Sequence, residues 1–312
     1  MEIRVVHWQQ HRTTLLDIRH KVFVHEQGVP LELEEDDQDA TATHLLASID
    51  GEPAGCARLL SDGHFGRVAV LSRYRNQGTG AHLLEAISEQ ARHLGITSLH
   101  AGMQCNAAGF YLRHGFVASP GIFLDAGIPH VHIHRQLTTS TPTNSLYRLR
   151  EDKELHHLGE DWGAAGFLQL LMAQRPGSLD LAIANPSHPM WSDPATAAGL
   201  LLLIRAQRRL NVRLLLNHDH PQLLAHPLVR LAQRMSSRIS LRIQPALRMN
   251  AVVAAPHAWI CDRSVRNLNG PENPQFITAS LNNPAGYQSL LEHFNTHWLD
   301  GESSQELQSL VM

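Results

Sequence analysis

The chain has 312 residues, of which 43% are apolar and 18% charged, so it is long and apolar enough for two domains with buried cores. The net charge of −3 argues against the overall basic bias of nucleic-acid-binding proteins. No apolar run has the length of a membrane-spanning helix, and the N-terminus lacks the apolar segment of a signal peptide. Three scattered cysteines without CxxC spacing exclude a disulfide framework, and together these features predict a cytoplasmic protein.

A Ser/Thr-rich segment divides the chain. Residues 138–145 read TTSTPTNS, which is low in apolar content and typical of a linker. We therefore expect an N-terminal domain over residues 1–137, a linker over 138–154, a C-terminal α/β domain over 155–300 and a tail over 301–312.

Strands and helices alternate in the first domain. Short apolar runs and alternating patterns predict seven strands: Ile3–His7, His44–Ile49, Ala54–Leu60, Gly66–Leu71, Ser98–Gly102, Phe116–Ala118 and Val131–Arg135. Helical spacing of apolar residues predicts helices over Leu15–Phe23, Gly80–His93 and Ala107–His114. Asp50-Gly51 is the expected turn between the second and third strands, and Gly95 is the expected stop of the second helix.

The second domain also alternates. The predicted strands are Leu179–Ala184, Val212–Asn217, Ile239–Gln244, Ala251–Ala255 and Ala258–Cys261, and the predicted helices are Ala195–Leu210 and Leu223–Arg238. Strands separated by helices of this length are typical of βαβ units, so both domains are predicted to be of the α/β class.

One glycine-rich loop has the chemistry of an anion site. Residues 75–80 read RNQGTG and lie between a predicted strand and a predicted amphipathic helix. Two glycines let the backbone approach a ligand closely, the N–H groups that open the helix face it, and Arg75 adds positive charge. The alternative is that these residues form an ordinary tight turn that binds no ligand. The loop is neither a GxGxxG dinucleotide fingerprint nor a Walker A loop.

Further blocks extend the pattern of this loop. The spacing R-x-x-G-x-G of Arg75–Gly80 resembles the acetyl-CoA pyrophosphate loop of the GNAT acetyltransferases. Downstream residues resemble a second motif of that superfamily: Gln104, Ala107, Phe110, Tyr111, Gly115 and Phe116. Three blocks resemble the ElaA/YjcF-like subfamily: VFVHEQGVP at Val22–Pro30, E-x-D-x-x-D-x-x-A-x-H at Glu34–His44, and GIPH at Gly127–His130.

The resemblance implies a GNAT fold for residues 1–137, in which helices flank a mixed, twisted sheet. It also implies an N-acyltransferase that moves an acyl group from acetyl-CoA to a primary amine. No metal is expected, since no HExxH or comparable spacing occurs. Backbone N–H groups of the splayed strand Val68–Val70 would hold the thioester carbonyl. The cofactor-binding residues that the resemblance implies are Val68, Val70, Arg75, Gln77, Gly78, Gly80, Ala81 and Gln104.

Acyl transfer from a thioester needs an acid for the thiolate and a base for the amine. Tyr111 is the candidate acid, and its alternative role is a packed aromatic that anchors a short helix. Glu26 is the candidate base, or else a turn carboxylate, and His25 and His130 are alternative bases. The run Glu32–Asp39 holds six carboxylates, which would either attract a cationic amine or form a solvated loop.

Arginine dominates part of the second domain. Residues 205–248 contain nine arginines and one acidic residue, a net charge of +8. Arg230, Arg234 and Arg238 recur every four residues and would form one stripe on a helix. Such a surface suits a phosphate-bearing or other anionic partner, and the alternative is a solvated helix face.

The strand order of residues 155–300 resembles half of a phospholipase D-like domain. Such enzymes need an H-x-K pair, and here the corresponding strand offers Arg248-Met249-Asn250. The predicted protein is therefore an N-acyltransferase with an appended, non-catalytic binding domain. The alternatives are a CoA-sensing regulatory protein and a phosphodiesterase or nuclease that acts through the second domain. The sequence leaves the acceptor amine and the oligomeric state open.

Overall fold

The computed structural model describes residues 1–137, 146–158, 161–218, 221–262, 277–304 and 307. The described backbone groups into two units. Unit 1 holds Met1–Met103 and Arg113–Thr143, and unit 2 holds Gln104–Leu112 and Asn144–Met312. The Ser/Thr-rich segment 138–145 of the predicted linker lies outside the described residues, as does most of the predicted tail.

Unit 1 contains two sheets. The first has the strand order β1-β2-β3-β4 and the second the order β5-β7-β6. The turn Asp50-Gly51 joins β2 to β3 with positive φ angles of 52° and 81°, as its Asp-Gly sequence predicts. The last two strands are longer than predicted. The strands are β1 Glu2–Val6, β2 Thr43–Ile49, β3 Glu52–Leu59, β4 Phe65–Val70, β5 Ser98–Gln104, β6 Val117–Asp125 and β7 Ile128–Gln136.

Two long helices pack in unit 1. Helix α1 spans Trp8–Arg19 and continues as a π-helical segment over His20–Glu26. Helix α2 spans Thr79–His93 and buries the apolar face that the sequence predicts, namely Leu83, Leu84, Ile87 and Ala91. Gly95 ends α2 at a φ of +74°, where its N–H group donates to Arg92 O at 3.0 Å. A glycine stop of this kind is expected because a left-handed residue costs glycine little.

Unit 2 is built on one seven-stranded sheet of order β11-β10-β9-β12-β13-β14-β8. Strands β9, β10 and β11 are parallel, which confirms the predicted βαβ connections, and the other strands pair antiparallel. Strands β8 and β14 have only three and four residues and were not predicted. The strands are β8 His156–Leu158, β9 Leu179–Ile183, β10 Val212–Leu216, β11 Ile239–Ile243, β12 Asn250–Ala254, β13 Ala258–Asp262 and β14 Ile277–Ser280.

Proline sets the start of four helices in unit 2. Each follows a polar N-cap whose side chain accepts a backbone N–H bond: His188, Asp193, His226 and Asn283. The predicted helix Leu223–Arg238 is therefore wrong in extent, because Pro227 forces an extended residue before it. The helices are α3 Ala108–Tyr111, α4 Asp161–Ala173, α5 Pro189–Ser192, α6 Pro194–Ala206, α7 Pro227–Arg234 and α8 Pro284–Asp300. Within the described ranges, no helix is both long and apolar enough to span a bilayer.

Candidate functional site

Strands β4 and β5 separate along their length. The two strands belong to different sheets. In the described structure, one isolated parallel bridge links them, between His64, the residue before β4, and His100 of β5. Leu71 N–H donates to Ala54 O of β3 at 3.0 Å. Because successive N–H groups of a strand point to opposite edges, the N–H of Val70 faces away from β3, toward the side on which β4 and β5 diverge. The strand that carries Val68 and Val70 is thus splayed, as the resemblance implies.

Strand β4 contains a bulge that consists of Arg67 and Val68, the first of these two valines. Cys56 of β3 faces Ala69 and Arg58 faces Gly66, so Ala57 lies opposite two residues, Arg67 and Val68. Arg67 has a φ of +51°, a left-handed conformation that is uncommon for a residue with a β-carbon. A bulge of this geometry usually has glycine at this position, so the side chain of Arg67 requires an explanation.

The predicted anion loop opens helix α2. Gly78 is the N-cap with a φ of +86°, and in the described structure no side chain caps the helix there. The loop is folded by Gln77 Nε2, which donates to Arg73 O at 2.9 Å, and by Thr79 Oγ1, which donates to Tyr74 O at 3.1 Å. Gly80 and Ala81 lie in the first turn, where N–H groups lack helical partners. This geometry suits a bound anion.

Two residues with different predicted roles form one ion pair. Glu26 Oε2 and Arg75 Nη2 are 2.6 Å apart, and both side chains are more than one-third exposed. Arg75 Nε also donates to Val70 O at 2.8 Å, which holds the guanidinium at the end of β4. The candidate base is therefore bound to the candidate pyrophosphate ligand. Arg75 thus occupies Oε2 of the candidate base.

Gln104 and Tyr111 group with unit 2. Gln104 is the last residue of β5, and Tyr111 ends the short helix α3. Burial raises the pKa of Tyr111 to about 12. The phenol therefore keeps its proton at neutral pH, which an acid needs. It is also a weaker acid than a free tyrosine, whose pKa is about 10.

The two alternative bases differ in burial. His25 is exposed in the π-helical segment. His130 is 8% exposed, and its Nδ1 lies 2.8 Å from Ile128 O. A carbonyl oxygen only accepts, so Nδ1 carries the proton and Nε2 of a neutral His130 presents a lone pair. His130 thus has the tautomer of a base.

The acidic run is largely paired with arginines. Six residues form what we name the acid–arginine network: Arg19, Glu34, Asp36, Asp39, Arg58 and Arg67. Within it, Asp39 Oδ1 is 2.9 Å from both Arg19 Nη1 and Arg58 Nη1. Glu34 and Asp39 are 2% and 1% exposed, so the prediction of a solvated loop is wrong for these two. The sequence motif contains the acids, but the arginines lie outside it and were missed.

These contacts also shift acid strength. Burial alone would raise the pKa of Asp39, but the hydrogen bonds and charges of Arg19 and Arg58 more than offset it. The pKa of Asp39 therefore lies below its ordinary value, and that of Asp36 is lowered in the same way by Arg58. Both carboxylates are ionised at neutral pH. Glu35 pairs with Arg12 at the surface, at 2.7 Å.

Most arginines of the 205–248 region bind inside unit 2. Arg213 forms two 2.6 Å bonds with Asp180, and Arg242 donates to Trp298 O at 2.6 Å. Arg230, Arg238 and Arg248 also donate to backbone carbonyls. The predicted single stripe is wrong, because α7 ends at Arg234 and Arg238 lies beyond it. Among the described residues, four exposed arginines have no such contact: Arg205, Arg208, Arg209 and Arg234.

Asn250 has a structural role where a phospholipase D-like domain would need its catalytic pair. Its side chain is fully buried. Oδ1 accepts from Ala184 N and Asn185 N at 3.0 Å and from Trp191 Nε1 at 3.2 Å. Nδ2 donates to Asp262 Oδ2 at 3.1 Å. The amide thus ties the end of β9 to β13, and both its oxygen and its nitrogen bond within the fold.

The N-terminal and C-terminal parts of the chain match two different families. Residues 9–137 match the family described as acetyltransferase (GNAT) domain, and residues 168–310 match a domain of unknown function, DUF7931. The Bacillus subtilis (strain 168) protein named "Uncharacterized N-acetyltransferase YjcF" is 35% identical over 120 residues, which are 37% of this chain and 86% of that protein. Protein ElaA of Escherichia coli (strain K12) is 28% identical over 131 residues, 39% of this chain and 86% of that protein.

One solved structure is titled an acyl-CoA N-acyltransferase from Pseudomonas aeruginosa. Its sequence is 32% identical to this chain. The match covers 43% of this chain and 98% of the Pseudomonas aeruginosa chain, with a TM-score of 0.40. The matched family and relatives place the first part of the chain in the class of acetyltransferases. The chain belongs to the GNAT acetyltransferase family, with ElaA- and YjcF-like relatives, which confirms the resemblance for the N-terminal domain. The resemblance of residues 155–300 to a phospholipase D-like domain stays a prediction.

Proposed function

We propose that the N-terminal domain transfers the acetyl group of acetyl-CoA to a primary amine. The observation that carries this proposal is the anion loop of Arg75–Ala81, which opens α2 directly after the splayed strand β4. Family membership supports acyl transfer from CoA to an amine as the type of reaction. The identity of the amine is left open.

The loop would bind the pyrophosphate of CoA. Gly78 has no β-carbon to block a ligand, and the first-turn N–H groups at Gly80 and Ala81 would donate to phosphate oxygens. Arg75 would add a charge-assisted bond, and Gln77, which lies within the same loop, is the further polar contact that the resemblance implies. On strand β4, Val68 and Val70 would contact the rest of the cosubstrate, and Gln104 stays a further contact that the resemblance implies.

Proton movements complete the proposed reaction. The amine nitrogen bonds to the acetyl carbon, the carbon–sulfur bond breaks, and the thiolate takes a proton from Tyr111. Burial raises the pKa of the Tyr111 phenol to about 12. Proton transfer to the thiolate is therefore more strongly uphill than between unperturbed groups, whose pKa values differ by about 1.5 units.

Glu26 would take the proton of the amine. In the structure described above it pairs with Arg75, so we propose that the pyrophosphate exchanges with Glu26 as the partner of Arg75. Binding of the cosubstrate would then release the base, and acetyl-CoA would bind before the amine. If Glu26 is not the base, His130 is the alternative with the matching tautomer.

Release of free thiol from acetyl-CoA, measured with a panel of amines, tests the activity. Gly80→Asp should place a side chain and a negative charge against the pyrophosphate and lower CoA affinity at least tenfold by calorimetry. His93→Asp, which adds the same charge at the exposed far end of α2, is the control. Tight CoA binding without amine-dependent thiol release would favour the CoA-sensing alternative. Undiminished affinity in Gly80→Asp would remove the loop assignment.

A second candidate function concerns unit 2, which we propose binds a small phosphate-bearing ligand without hydrolysing it. A cavity of about 310 Å³ is lined by Gly177, Gln207, Arg208, Arg209 and Leu210. Gln207 Nε2 donates to Arg175 O at 3.0 Å, which fixes the amide and leaves Oε1 buried without a partner in the described structure. Two arginines in the lining suit a phosphate-bearing ligand.

Calorimetry of the full chain with inorganic phosphate and with a sugar phosphate tests this second candidate. The double variant Arg208→Gln/Arg209→Gln should lose binding at least tenfold. Arg205→Gln/Arg234→Gln, which removes the same charge elsewhere on unit 2, should keep it. Equal loss in both double variants would show a non-specific charge effect, and no binding by the unaltered protein would refute the candidate.

A further inference from the structure

Arg67 joins residues Glu32–Asp39, which we name the acidic loop, to strand β4 in unit 1. Its φ of +51° lies in the left-handed region, at the first position of the β4 bulge. A left-handed conformation is unfavourable for residues with a β-carbon, and it persists only where surrounding contacts impose it. Val68, the next residue, begins the segment that faces the diverging side of the two strands.

In the described structure, three hydrogen bonds hold the Arg67 side chain. Nε donates to Glu34 O at 3.2 Å, and Nη2 donates to Leu33 O at 3.2 Å and to Asp36 Oδ2 at 3.2 Å. The guanidinium thus binds two successive carbonyls of the acidic loop and one of its carboxylates. Cys56 Sγ lies 3.7 Å from Arg67 O, so the backbone of the bulge is also in contact with β3.

The loop is itself fixed by the buried part of the network. Arg19 binds both the side chain and the carbonyl of Glu34, and its own side chain is 1% exposed. Arg58 binds Asp36 through two bonds of 2.6 and 3.0 Å. Three acids therefore face three arginines. No net negative charge remains in the network to attract a cationic amine, and another role for these acids is needed.

We propose that the acid–arginine network is a positioning device for acyl transfer, which holds Arg67 left-handed and so fixes the direction of the N–H groups at Val68 and Val70. This proposal rests on the proposed acyl transfer. Glycine at this position would adopt the same positive φ without any side-chain contact, but it would also adopt other backbone conformations. Arginine, clamped by Leu33, Glu34 and Asp36, selects a single conformation. The network residues are positioning residues, since they act through the backbone of β4.

Four single variants separate position from charge. Arg67→Gln keeps the β-carbon and removes the ion pair, and Asp36→Asn weakens the same contact from the other side. Arg67→Gly removes the contacts but tolerates the positive φ. Arg12→Gln is the matched control, because it breaks the exposed Arg12–Glu35 pair, which binds the same loop but not β4.

Steady-state kinetics with acetyl-CoA should show a split. Arg67→Gln should lower kcat about tenfold with KM for acetyl-CoA within twofold, because a misdirected donor loses transition-state contact while CoA still binds. Asp36→Asn should lower kcat by about threefold, Arg67→Gly should recover part of the loss of Arg67→Gln, and Arg12→Gln should match the unaltered protein. An unchanged kcat in Arg67→Gln, or a loss in Arg67→Gly as large as in Arg67→Gln, would overturn the proposal.

Amide hydrogen exchange of the peptide 65–71, without ligand, gives a readout that does not need activity. Exchange there should be at least threefold faster in Arg67→Gln and Asp36→Asn than in Arg12→Gln, with circular dichroism confirming that each variant is folded. If the unaltered protein shows no acyl transfer, the proposed function fails, and the exchange of this peptide still decides whether the network fixes β4. Equal exchange in all variants would refute the positioning role.

Discussion

Arginines are held differently in the two units. In unit 1, Arg19 and Arg58 bind buried carboxylates within the acidic loop. In unit 2, Arg238 and Arg242 bind backbone carbonyls, and Arg242 also lies 4.9 Å above the ring of Trp298. The carboxylate partners of Arg19 and Arg58 form an acidic run that the sequence shows, whereas carbonyl and aromatic partners leave no such run. Charges counted from the sequence therefore indicate the ionic contacts of unit 1 better than those of unit 2. In unit 2 the count overstates the number of arginines that are free to bind a partner.

The largest expected effect follows from breaking the buried pairs of unit 1. Arg19→Met leaves Glu34 and Asp39 buried with one fewer cationic partner, and the free energy of unfolding should fall by about 3–5 kcal/mol. Urea denaturation measures this directly. Arg12→Gln, which breaks an exposed pair in the same loop, should leave the unfolding midpoint essentially unchanged. A loss in Arg19→Met as small as in this control would mean that the buried network is not stabilising.

A smaller effect is expected for the pair in unit 2. Arg213 is 30% exposed, binds Asp180, and lies 4.8 Å above Phe294 and 5.5 Å above Trp298. Solvent weakens the ion pair and the aromatic contacts add to it, so Arg213→Gln should cost about 2 kcal/mol in urea. Arg205→Gln should change the unfolding free energy by less than about 0.5 kcal/mol. An equal loss of unfolding free energy in both variants would contradict the inference that the contacts of Arg213 stabilise unit 2 more than those of Arg205.

Low pH should lower the free energy of unfolding of unit 1 as Asp39 becomes protonated. Its folded pKa is lowered, so its contribution is complete above the unfolded pKa of about 4 and is lost as pH falls from there through the folded value. In that window the unfolding free energy should fall by about 1.4 kcal/mol per pH unit for this carboxylate. Urea denaturation between pH 6 and pH 3 should show a shallower slope in Asp39→Asn. An identical slope would contradict the lowered pKa.

Local signals predicted much of the fold. Helix α2, its stop at Gly95 and the Asp50-Gly51 turn follow from apolar spacing and from glycine at positive φ. The end of the predicted helix Leu223–Arg238 was wrong, although Pro227 marks it. Helix α4 was missed because it is apolar nearly all round and buried, so it lacks an amphipathic pattern.

The candidate site was predicted in part. Arg75, Gly78 and Gly80 could be found because an anion loop needs those residue types close together in sequence. Arg67 could not, because its role depends on a bulge and on a loop more than 30 residues away. The ion pair between Glu26 and Arg75 was also beyond prediction, since its partners are 49 residues apart. Sequence spacing reports local chemistry, and the tertiary contacts decide which partner each arginine takes.

Arg75 is the arginine whose partner is expected to change, from Glu26 to the pyrophosphate of CoA. Calorimetry of CoA binding to Arg75→Gln and Glu26→Gln tests this most directly. Losing a charge-assisted bond should weaken CoA binding about tenfold in Arg75→Gln. Removing the competing carboxylate should strengthen CoA binding about threefold in Glu26→Gln, since exposed pairs are weak. Affinities that are unchanged in Arg75→Gln, or weaker in Glu26→Gln, would contradict the account.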